Sequence, residues 1–89
     1  MEKTFTMIWF DPDPKKTFAK KLSEGITHYR SKYALEPISC LINSAAYAAL
    51  VQEQNLPQDT AQLIVDGLTV QGRRDVLKYD LYISNNGTQ

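Results

Sequence analysis

The stretch T4-F-T-M-I-W-F10, followed by D11-P-D-P14, a long amphipathic segment and then I38-S-C-L-I42, decides how the chain folds. The first of these pieces is rich in β-branched and aromatic residues and stops at a proline turn, as a strand does. Along it Phe5, Met7 and Trp9 point one way, and Thr6, Ile8 and Phe10 point the other. Both faces are largely apolar, which predicts an interior strand rather than an edge. Asp13 reads as a helix N-cap with Pro14 at the first helical position.

From Asp13 to Tyr33 the apolar positions Phe18, Leu22, Gly25, Ile26, Tyr29 and Tyr33 recur at spacings of three and four. On a helix of 3.6 residues per turn they form one stripe, with Lys16, Lys20, Ser23, Glu24, Thr27 and Ser31 opposite. Gly25 lies inside the stripe, where a missing side chain lets helix and sheet approach closely. Leu35-Glu36 links the helix to Pro37, and Ile38 to Ile42 is a second strand, apolar on both faces with Cys40 at its centre. Strand, helix and strand in this order predict a right-handed βαβ unit, which makes the two strands parallel.

Farther along, a second helix is expected from Asn43 or Ser44 through A45-A-Y-A-A-L-V-Q-E-Q54, and N55-L-P-Q-D-T60 reads as a loop. Leu63-Ile64-Val65 and Leu68-Thr69-Val70 flank Asp66-Gly67, a dipeptide suited to the two positive φ angles of a type I′ hairpin. Gly72 to Asp75 is a further turn candidate, and Val76 to Ser84 alternates as a last strand. The expected fold is therefore a two-layer α/β sandwich, β-α-β-α-β-β-β, with a mixed sheet. It forms one domain over residues 1–84, with a disordered tail over 85–89.

Composition narrows the function classes. The chain has 89 residues, 43% of them hydrophobic, enough for one core and too apolar for a disordered protein. Ten basic and ten acidic side chains cancel, which argues against holding nucleic acid by overall charge. A single cysteine forms no internal disulfide and suits a reducing compartment. No signal-like or membrane-spanning run is visible, so a cytoplasmic protein is expected.

The chemistry-bearing residues each have a plainer explanation. If the two strands are parallel neighbours, Asp11 and Asp13 after the first and Asn43 and Ser44 after the second gather at the strand ends where α/β sheets place ligands. Oxygen donors of this kind suit Mg²⁺, yet helix capping already accounts for them. His28 stands alone and Cys40 sits on an interior strand, so neither a zinc site nor a Cys–His pair assembles. No glycine-rich phosphate loop is present. The expectation is a chain without a metal, a cofactor or catalytic residues.

What does stand out is a surface left over. Two helices on short connections fall on the same side of a sheet, leaving Thr6, Ile8, Phe10, Ser39, Leu41, Thr69, Val76 and Tyr82 on the other. A small protein rarely leaves such a patch in water. The leading expectation is therefore a non-catalytic interaction module that self-associates as a homodimer, using Ile8, Phe10, Leu41, Val76 and Tyr82. The alternative is a small nucleic-acid-binding accessory protein, using Lys15, Lys16, Lys20 and Lys21 with Arg73 and Arg74.

Overall fold

The computed structural model describes residues 4–85. Seven elements follow in order: β1 (Thr6–Phe10), α1 (Phe18–Tyr33), β2 (Ser39–Asn43), α2 (Ser44–Glu53), β3 (Leu63–Val65), β4 (Leu68–Arg73) and β5 (Asp80–Ser84). The five strands make one mixed sheet in the order β1-β5-β2-β4-β3. Helix–sheet packing builds the core: Leu22, Ile26 and Tyr29 of α1 and Ala46, Leu50 and Val51 of α2 meet Met7, Cys40, Ile42, Val70, Leu81 and Ile83.

The strand order corrects one expectation. β1 and β2 do run the same way, since each is antiparallel to β5, but β5 lies between them. The true parallel neighbour of β2 is β4. A helix with its side chains is about 10 Å wide and strands lie about 4.8 Å apart, so α1 spans two strand positions and leaves a slot for a third strand. β5 fills that slot with Leu81 and Ile83 turned under the helices. In consequence β1 is an edge strand, not the interior strand its apolar faces suggested.

Local signals set the helix ends, with one exception. The helix does not begin at Asp13. Asp13 instead accepts the Lys15 N–H at 2.9 Å in a turn through Pro14, and Thr17 is the N-cap, its hydroxyl accepting the Lys20 N–H at 3.1 Å. The next free donors, the N–H groups of Phe18 and Ala19, reach the carboxylate of Glu53 at 3.0 and 3.1 Å. A negative charge at a helix N-terminus is favourable, so α2 closes α1 electrostatically. At the other end Ala34 takes a left-handed turn at φ 55° and returns its N–H to the Arg30 carbonyl. Asn43 caps α2 by accepting the Ala45 N–H.

The hairpin forms as its dipeptide requires, with φ of 53° at Asp66 and 78° at Gly67. The last strand is shorter than its alternation implied, because residues 74–79 form a turn that passes the end of β2. Val76 lies in that turn, and its carbonyl accepts the Asn43 side-chain N–H at 2.8 Å. Of the expected tail, Asn85 pairs with Phe5 through backbone and side chain. Residues 86–89 lie outside the described part.

Candidate functional site

The two helices share one face of the sheet, and the alternation of each strand decides what the other face shows. Along β1, Met7 is buried under α1 and Trp9 is half-buried, while Thr6, Ile8 and Phe10 face away. Pairing then lines residues up across the strands. One row runs Ile8, Tyr82, Leu41, Gln71. A second runs Thr6, Ser84, Ser39, Thr69, Ile64.

These rows are not uniform. Ile8 is 56% and Phe10 63% exposed, and both belong to the edge strand. Tyr82 and Leu41 beside them are half-buried. The Phe10 ring stands edge-on to Tyr79, with centroids 6.4 Å apart. Toward the opposite edge the face turns polar, with Gln71 donating to Gln62 at 3.1 Å, apart from an exposed Ile64. The helix-free face therefore has an apolar end at β1 and a mostly polar end at β4.

Four of the five residues expected at a partner surface, Ile8, Phe10, Leu41 and Tyr82, are brought together by the register. Val76 is not: it is 4% exposed, inside the turn before β5. The alternation that seemed to place it on the outer face does not hold, because the chain is not yet extended at that point.

The basic residues do not form a common patch. Lys21 is only 3% exposed, its ammonium lying over the rings of Phe18 and Tyr79. Lys16 bridges Glu24 at 2.7 Å and Asp11 at 3.3 Å. Arg73 pairs with Asp75 at 2.6 Å. Lys15, Lys20 and Arg74 are exposed. Arg73 and Arg74 sit at the end of β4, with β2 and β5 between them and the residues that follow β1.

The oxygen donors are separated in the same way. Asp11 follows the edge strand and Asn43 ends β2, with β5 between. Asp11 accepts the Asp13 N–H at 3.1 Å and meets Lys16. Burial works against its charge, but these donors, with Lys21, outweigh that and hold its carboxyl below the ordinary value. Among the described residues no three His, Cys, Asp or Glu side chains gather to hold a metal. Burial pushes the Cys40 thiol up to about 12, which leaves it protonated and unreactive.

A second feature had no signal in the sequence. Between β1 and the outer flank of α1 runs a shallow groove lined by Trp9, Ser23, Glu24, Thr27, His28 and Ser31. The His28 ring lies against the Trp9 indole, centroids 4.9 Å apart. The indole Nε1 is buried, and no acceptor among the described residues reaches it. His28 lies on the flank of the helix, and nothing in its local sequence ties it to Trp9.

No helix among the described residues is long and apolar enough to cross a membrane. No known protein family, characterised protein or solved structure matches the chain.

Proposed function

We propose that the protein is a non-catalytic interaction module whose partner is a second copy of itself, meeting it at the β1 end of the helix-free face. One observation carries this reading. Ile8 and Phe10 are large, apolar and more than half exposed, and they adjoin Tyr82 and Leu41 on a face that neither helix covers. Removing an Ile or Phe side chain from water is worth about 1.5–3 kcal/mol each. For a domain of this size those amounts are a large part of total stability. Zero formal charge adds no long-range repulsion between copies.

The basic side chains support a nucleic-acid role less well, because Lys21 is buried and Lys16 and Arg73 are engaged by carboxylates.

Sedimentation over a range of protein concentrations tests the proposal. The expected result is a dimer that Ile8→Asp converts to a folded monomer, since Ile8 is exposed in the single chain, with a melting temperature that no longer depends on protein concentration. A wild-type protein that remains monomeric at the highest concentration attainable would overturn it.

A further inference from the structure

Resting on the self-association proposed above, we infer that two copies join through the free edges of β1, antiparallel about a twofold axis at Ile8. Each copy brings five strands, so the product is one continuous sheet of ten.

Backbone geometry comes first. Among the described residues β1 has a strand neighbour, β5, on one side only. Phe5 accepts the Asn85 N–H, Asp11 donates to the Tyr79 carbonyl, and Met7 and Trp9 stand opposite Ile83 and Leu81. The odd-numbered residues are thus the ones that exchange hydrogen bonds with β5. In an antiparallel ladder the alternate residues turn their N–H and C=O groups the other way. Those residues are Thr6, Ile8 and Phe10, and their backbone groups point out from the sheet edge.

Natural edge strands carry lysine, proline, a bulge or shortness to prevent pairing with a foreign strand. β3, at the far edge, is three residues long. β1 has five residues and neither a charge nor a proline nor a glycine among them. This edge is left open to a strand of matching length.

The pattern is also self-complementary. With the axis at Ile8, Ile8 pairs with the partner's Ile8, and Thr6 pairs with the partner's Phe10. The same three positions carry the exposed side chains of the outer face, so cross-strand contact covers Ile8 and Phe10 while the backbone bonds form. One contact thereby satisfies the edge and shelters the apolar end of the face.

Bulk near the edge does not oppose it. Ser23, Thr27 and Ser31, four residues apart on the outer flank of α1, are small and exposed beside the groove over Trp9. In a joined sheet α1 comes alongside its copy, and these short side chains leave room. Because the same patch serves both copies, the contact closes on itself as a dimer and does not propagate.

Amide exchange on the whole chain, measured at concentrations below and above the association midpoint, tests the arrangement. The amides of Thr6, Ile8 and Phe10 should slow by about tenfold or more in the dimer. Thr6→Pro removes one outward N–H while sparing the bonds to β5 and the side chains of Ile8 and Phe10. It should weaken association by about tenfold or more. A dimer whose three amides exchange at the monomer rate would overturn the edge arrangement and leave self-association standing. A chain that never associates would overturn both. Exchange in the wild-type protein decides the matter even if the proline variant fails to fold.

Discussion

Gly25 packs directly onto Trp9: a Cβ placed on the glycine would lie 3.0 Å from Cδ1 of the indole and 2.7 Å from Cδ1 of Ile83. The missing side chain is what allows α1 to settle on β1 and β5. Ile83 is wholly buried, which leaves it little room to retreat, whereas Trp9 is half-buried beside the groove.

Gly25→Ala therefore sets two effects against each other. Alanine in a helix interior gains up to about 1 kcal/mol over glycine. Overpacking a core typically costs about 1–3 kcal/mol. The 2.7 Å approach to the wholly buried Ile83 lets the cost win, and a net loss of up to about 2 kcal/mol is expected in urea unfolding. A neutral or stabilising result would mean that the helix can lift without penalty.

The helix start gives a contrast between two residues that look equally suited to it. Thr17→Ala should cost about 0.5–2 kcal/mol, because its hydroxyl satisfies the Lys20 N–H. Asp13→Ala should cost less, since that carboxylate serves only the turn at Lys15. Thermal unfolding of the two variants side by side distinguishes them; a larger loss at Asp13 would return the helix start to the proline.

Cys40 should be silent toward a thiol reagent at pH 8 in the native protein and react fully once denaturant is added. The fully buried side chain and a thiol pushed up to about 12 both lead there. Rapid labelling under native conditions would show β2 opening far more often than its central place in the sheet allows.

Asp11 links stability to acid. Its folded carboxyl is held below the ordinary 3.8, so its contribution is complete above that value and fades as pH falls through the lowered one. Asp11→Asn should be less stable than the wild type at neutral pH, with the gap closing toward strong acid. Denaturant midpoints measured from pH 7 down to pH 2 test this; a gap that stays constant would show that Asp11 acts by its shape alone.

How much of this was legible in the chain depends on how local the signal is. The spacing of Leu22, Ile26 and Tyr29 gave the α1 face, Asp66-Gly67 gave the hairpin, and the alternation of Met7 with Ile8 gave two distinct sides to β1. Ile8, Phe10, Leu41 and Tyr82 could be assigned to one face for the same reason, since side-chain direction along a strand has a period of two. Val76 misled because alternation continues in a sequence even where the backbone has left the strand. Asp13 misled because a turn and a helix cap ask for the same side chain; Thr17 caps the helix through its own hydroxyl, and Glu53 of α2 adds acceptors for Phe18 and Ala19 that no local sequence shows.

By itself, then, the sequence determined the elements, their buried sides and the surplus of apolar residues on one face of the sheet. The tertiary structure alone decided that β5 enters between β1 and β2, which puts β1, with Ile8 and Phe10, at the end of the order of described strands. The reason is physical: helix and strand periods are written in neighbouring residues, whereas strand order depends on pairing between segments some 75 residues apart. Which strand wins that place is settled by how the helices fill the space above the sheet, and no short stretch of sequence encodes it.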